Sequence, residues 1–215
     1  MRRSYRHAAL FILLLSAATH VCSQVLLDRI VARVEGDVIL LSDLRRLSRY
    51  QDLVDGKKEG DSQILDRLID QWIVRNEADT ARFPHPSDVD VALGLERLLA
   101  AFDSLDDYQA RKKALGLTDS DLQKMIADQL YLSKYLDSRF RPAVQITPVA
   151  VEEFYQQAVV ARAKARRQQP PTLEASRDYI QEALIQRGIN EQADRWLQES
   201  RTRLHVDKFL DEGPK

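Results

Sequence analysis

VLLDRIVARVEGDVILLSDL, residues 25–44, decides what kind of fold this chain can adopt. Val25 to Val34 is rich in apolar and β-branched residues, and Val38 to Leu41 is a second apolar run. Glu35-Gly36-Asp37 lies between them, so the stretch reads as a β-hairpin with a three-residue, glycine-containing loop. Ser42-Asp43 supplies N-cap chemistry for a short helix over Leu44 to Gln51. A lone hairpin is marginal in water and needs a partner. The partner expected is at the far end of the chain, where Leu204 to Leu210 (LHVDKFL) alternates as a strand does. Pairing of that strand with the hairpin would bring the two ends of the fold together.

Everything between these strands reads as helix. A charged loop, Gly56 to Gly60, precedes an amphipathic helix from Asp61 to about Arg82, with Ile64, Leu65, Leu68, Ile69, Trp72 and Ile73 at helical spacing. Phe83-Pro84-His85-Pro86 breaks it. Ser87-Asp88 starts the next helix, whose apolar positions are Val89, Leu93, Leu95, Leu98 and Leu99. Ser104 starts another that ends at Gly116. Thr118 with Asp121 forms the carboxylate version of a capping box and opens a long helix to about Phe140. Val144-Gln145-Ile146 reads as a short extended piece. Thr147-Pro148 starts a helix to about Gln168. After Pro170-Pro171 a last helix runs from Leu173 to about Arg203, with Gly188 as its candidate bend. The expected class is therefore mainly α: a multi-helix core with a small sheet made by the N-terminal hairpin and a C-terminal strand.

Upstream of the hairpin, Arg2, Arg3 and Arg6 precede the apolar run Ala8 to Ala18, the layout of a secretory signal peptide. Residues 1–23 are assigned to it, with cleavage after Ser23 preferred over Ala18. The apolar run is too short for a membrane span of about 20 residues. Cys22 is expected to leave with the signal. The whole chain has 32 basic and 33 acidic residues, and loss of the three arginines leaves 29 against 33. A mildly acidic, exported, periplasmic protein follows, with nothing in its charge that points to nucleic acid. Seven glycines and one cysteine argue against phosphate-cradling loops, internal disulfides and cysteine metal sites.

Catalytic chemistry has no signature here. No nucleophile elbow, zinc-binding helix or phosphate loop is present, and no catalytic residue, metal site or cofactor is assigned. Past the signal, only His85 and His205 remain; both read as ordinary histidines. Glu152-Glu153 and Asp106-Asp107 read as first-turn acids facing helix dipoles. The basic stretch Arg162, Lys164, Arg166 and Arg167 reads as a solvated helix end leading into a linker. Over 118–140, Leu122, Met125, Ile126, Leu130, Leu132, Leu136 and Phe140 share one face, with Tyr131 and Tyr135 opposite. Such a helix is either packed on both sides or offers one side as a platform for an apolar or aromatic peptide. Exposed helix-borne tyrosines, Tyr108, Tyr131, Tyr135 and Tyr155, are the candidate peptide-binding residues; Trp72 and Trp196 are assigned to the core.

Four segments, in order, carry a family resemblance. Residues 25–44 resemble the opening of SurA-type periplasmic chaperones, and LDRLIDQWIVRNEADTARF (65–83) resembles that family's second helix. Residues 116–155 resemble its long central helix and the start of the next, and 182–210 resemble its C-terminal helix and strand. The resemblance implies a SurA N-terminal-like helical chaperone domain over 24–157, completed by 173–211. Only 158–172 stand where the family inserts parvulin-type prolyl isomerase domains, too few residues for an independent core. FPHP and Trp72 depart from the family's usual pattern. The implied function is an ATP-independent holdase, not an enzyme, that binds unfolded outer-membrane polypeptides in an apolar, aromatic crevice and so keeps aggregation-prone strands apart. A divergent prolyl isomerase and an envelope adaptor with one fixed partner are the competing readings.

Overall fold

Glu35 and Gly36 both have positive φ, 50° and 97°, the signature of a two-residue hairpin turn matched to strand twist. The computed structural model describes residues 28–210. The expected signal segment, Cys22 and Val25 to Leu27 lie outside them. The turn joins β1, Ile30–Val34, to β2, Asp37–Leu40. Asp37 is thus already paired, opposite Val34, and the loop is one residue shorter than its composition suggests. β3, Val206–Lys208, runs antiparallel along the other side of β1, with Val34 opposite Val206 and Ala32 opposite Lys208. The strand order is β2-β1-β3, so the chain's far end closes the sheet as its alternation predicts.

Helix α1, Leu41–Asp55, follows β2 without a loop. It starts earlier than Ser42-Asp43 would place it. Asp43 works instead from within the first turn, its carboxylate accepting from the backbone N–H of Leu40 at 3.3 Å, and Asp28 accepts from the N–H of Ser42 at 3.2 Å. α1 also ends later than expected, at Gly56, whose φ of 64° provides the left-handed cap. The remaining helices are α2, Asp61–Thr80; α3, Asp88–Leu99; α4, Leu105–Ala114; α5, Asp119–Phe140; α6, Pro148–Phe154; α7, Ala161–Ala165; and α8, Leu173–Arg203. A 3-10 turn, Arg141–Ala143, ends α5, and a π-helical turn, Tyr155–Val160, joins α6 to α7. Ser87, Ser104, Thr118, Thr147 and Thr172 cap α3, α4, α5, α6 and α8 through their hydroxyls.

Two local expectations, at Val144 to Ile146 and at Gly188, meet in one contact. Val144 is extended, as expected of Val144 to Ile146, and the piece pairs with no strand. Gly188 leaves α8 continuous for 31 residues. Its missing side chain makes room for Val144: a Cβ there would sit 2.7 Å from Val144 Cγ1.

Three apolar clusters join the sheet, α1 to α5 and the C-terminal part of α8. The sheet, α1 and α2 enclose Val31, Val34, Leu44, Ile64 and Leu65, all at most 1% exposed. Leu53, Leu98, Tyr108, Leu117, Leu122 and Ile126 join α1, α3, α4 and α5. Val74, Ala78, Tyr131, Leu132 and Tyr135 join α2 to α5. Trp196 and Leu197 of α8 pack against both the first and third clusters, and Trp72 against the first. α5 therefore has neighbours on both sides.

Candidate functional site

Leu44, Leu47, Gln51 and Val54 recur on α1 at steps of three and four residues, one helix face. Three of the four are apolar; Gln51 is not. It is only 9% exposed, and its Oε1 has no hydrogen-bond donor within reach among the described residues. An orphaned buried acceptor costs about 1–3 kcal/mol. Its position matters, because it lines a groove of about 430 Å³ between α1, α2 and α5.

The groove's floor is apolar. Leu47 and Val54 come from α1, Val74 from α2, Met125, Leu132 and Leu136 from α5, and Leu197 from α8. Val54 is 47% exposed, which is unusual for an apolar side chain in a row of buried ones. A second concavity of about 220 Å³ continues the groove toward β2, past Trp72 to Val38, itself an exposed valine. Leu47, Gln71, Met125 and Asp128 line both parts. From Lys124 to Leu136 the wall formed by α5 is about 18 Å long at 1.5 Å per residue. An extended chain of about five or six residues spans that length.

Charged and polar side chains frame the floor. Arg75 of α2 pairs with Asp128 of α5 at 3.2 Å, and Arg46 reaches Asp43 and Asp121. Asp70 accepts from Arg201 of α8 at 2.6 and 2.7 Å, yet burial pushes its carboxyl above the ordinary value. Tyr50 donates to Gln129 Oε1 at 2.9 Å, and burial raises its hydroxyl as well. Charges of both signs therefore stand around the floor.

The tyrosines expected to form the site lie elsewhere. Tyr108, Tyr131 and Tyr135 are 2%, 3% and 5% exposed, and the expectation that they are exposed is corrected. Tyr108 meets Phe102 edge-on, with the Lys112 ammonium over its ring. Tyr131 donates to Asp79 at 2.6 Å and stacks on His85, 4.3 Å between centroids. Burial, then the bond to Asp79, pushes its hydroxyl up to about 12. Tyr135 packs edge-on against Phe83. The FPHP turn folds Phe83 and His85 over α5, so the side of α5 opposite its leucines is covered. Tyr155 is half-buried and donates to the carbonyl of Pro171 at 2.8 Å. Tyr131 and Tyr135 are neighbours; the structure does not gather the four into one surface.

His205 lies exposed beside Asp207 at 3.4 Å. Among the described residues no cluster of histidine, cysteine or acidic side chains could hold a metal, and no helix is long and apolar enough to cross a membrane. The sequence signal for the groove was the polar interruption at Gln51 in an apolar stripe, hidden because the helix was expected to stop there. In comparisons with known proteins, no family model and no curated protein matches the chain.

Proposed function

We propose that the α1–α2–α5 groove holds extended segments of unfolded polypeptide, and that the protein is an ATP-independent holdase. The observation that carries this reading is the apolar groove itself, about 430 Å³ and long enough for about five or six extended residues, with the unpartnered Gln51 Oε1 buried in its wall. Rotated toward the groove, the Gln51 amide can pair with the backbone N–H and C=O groups that an unfolded chain presents between apolar side chains. Capture of five or six residues at a time gives modest affinity and spontaneous release. It also occupies the strands that would otherwise pair with one another.

The clients are unfolded, aromatic-rich outer-membrane polypeptides in the periplasm. That part rests on the resemblance of residues 25–44, 65–83, 116–155 and 182–210 to SurA-type chaperones, and on the export signal read in residues 1–23. The test is light scattering of a urea-diluted outer-membrane porin, with folded porin as control. Near-stoichiometric protein is expected to suppress aggregation, and Val54→Asp, a solvent-facing change that places charge in the groove, to weaken that suppression. Unchanged scattering with no bound unfolded client would refute the holdase reading and favour an adaptor that recognises one folded partner.

A further inference from the structure

The segment from α7 to α8 carries four cations, Arg162, Lys164, Arg166 and Arg167. Among the described residues none of their side chains has a hydrogen-bond or ion-pair partner. Elsewhere Arg75, Arg139, Arg141, Arg177 and Arg201 are each paired with a carboxylate, while Arg97, Arg195 and Arg203 have no side-chain partner among the described residues either. Two of the four, Arg162 and Arg166, border a cavity of about 390 Å³ between α7 and the first turns of α8. Arg162, Arg166, Gln168 and Gln169 line it together with Val159 and Tyr179, and no acidic residue does.

The backbone around this cavity is held in place even though the cations are free. Tyr155 donates to the Pro171 carbonyl, and the N–H of Gln168 donates back to Ala163 at 2.9 Å. Arg167 turns the chain with a left-handed φ of 55°. α8 begins beside the cavity, with Ala175 and Ser176 of its first turn in the wall. The N-terminus of α8 is the helix's positive end, and Glu174 of that first turn is paired with Arg177 at 3.1 Å.

We propose that this cavity binds a polypeptide carboxylate together with the apolar side chain next to it. A guanidinium matches a carboxylate as a two-pronged donor. The amides of Gln168 and Gln169 can both donate to and accept from a backbone, while Val159 and Tyr179 receive the neighbouring side chain. The volume lies in the range of small-ligand pockets, and a concave site of that size suits a peptide end or an acidic residue in a chain better than a flat lipid surface. None of its lining residues is shared with the α1–α2–α5 groove, so the site stands whether or not the groove holds clients.

The experiment is fluorescence anisotropy of the purified protein with three labelled hexapeptides. One ends in Phe with a free carboxylate, one ends in Phe-amide, and one is amidated but carries Glu beside the Phe. At least one acid peptide is expected to bind about tenfold more tightly than the neutral one, and the two acid peptides tell a terminal carboxylate from a side-chain one. Arg162→Gln/Arg166→Gln should erase the difference, and added salt should reduce it. Both arginines are exposed and unpartnered, so an unchanged circular dichroism spectrum is expected of the variant. Equal binding of all three peptides, wild-type binding by the double variant, or arginine-dependent binding of anionic vesicles but no peptide would each overturn the proposal.

Discussion

Replacing Gln51 with Met separates stability from function. Methionine keeps the length of the side chain and removes the carbonyl that no donor reaches. The wild type carries a buried acceptor whose desolvation is uncompensated, at a cost of about 1–3 kcal/mol. Relief of about 1–2 kcal/mol is therefore expected, which for a chain of this size raises Tm by roughly 2–8 °C. Client binding should move the other way. A bound backbone N–H loses its acceptor, about 1 kcal/mol or roughly fivefold in Kd, while the apolar floor from Leu47 to Leu197 is untouched. Thermal unfolding and titration with an unfolded porin fragment read the two effects on the same sample. A lower Tm would mean that Gln51 has a structural partner. A higher Tm with unchanged client affinity would mean that the acceptor is not used.

Other changes act on the scaffold. Gly94→Ala places a Cβ 2.5 Å from Ile126 Cγ2 where α3 crosses α5; overpacking of about 1–3 kcal/mol outweighs a helix-propensity gain of up to about 1, so urea denaturation should show a net loss of stability. Tyr131→Phe removes the bond to Asp79 and should cost about 1–2 kcal/mol. Because the Tyr131 hydroxyl is raised to about 12 from 10.0, its contribution is complete below pH 10 and is lost as pH rises toward 12; the variant should show a shallower alkaline loss. Hydrogen bonds from Lys134, then from Ser87, hold the Asp90 carboxyl down at about 2, so its contribution is present above pH 3.8 and is lost as pH falls toward 2. Acid titration of Asp90→Asn by circular dichroism should lack that component.

Much of the helical order was legible because caps and breakers are local. Ser87, Ser104, Thr118 and Thr147 each announce a helix by the hydroxyl they offer, and Gly116 sits where left-handed backbone ends one. The closing strand was legible from its alternation and the hairpin's need for a partner. The start of α1 was not: Asp28, from before the first strand, helps cap it, and no window on the sequence contains that contact. A glycine in a helix signals a bend or a close neighbour, and at Gly188 the neighbour, Val144, comes from 44 residues away. The tyrosines of α5 were misread as a platform for the same reason. Helical periodicity places them on a second face, but only the FPHP turn, folding back over that face, decides that it is covered. The groove was invisible because it is a gap between three helices, and its one sequence trace was a glutamine at an apolar position.

The central claim is that unfolded polypeptide lies in the α1–α2–α5 groove. Cys22 is the chain's single cysteine, so in a Cys22→Ser background Val54→Cys places one thiol in the groove and Val149→Cys places one on α6, at another exposed valine outside it. A thiol-attached photo-cross-linker on each, irradiated with urea-diluted porin, reads occupancy directly. The account predicts strong adducts from position 54 with unfolded porin, few from position 149, and none with folded porin. Equal yields at the two positions, or adducts at 149 alone, would contradict it.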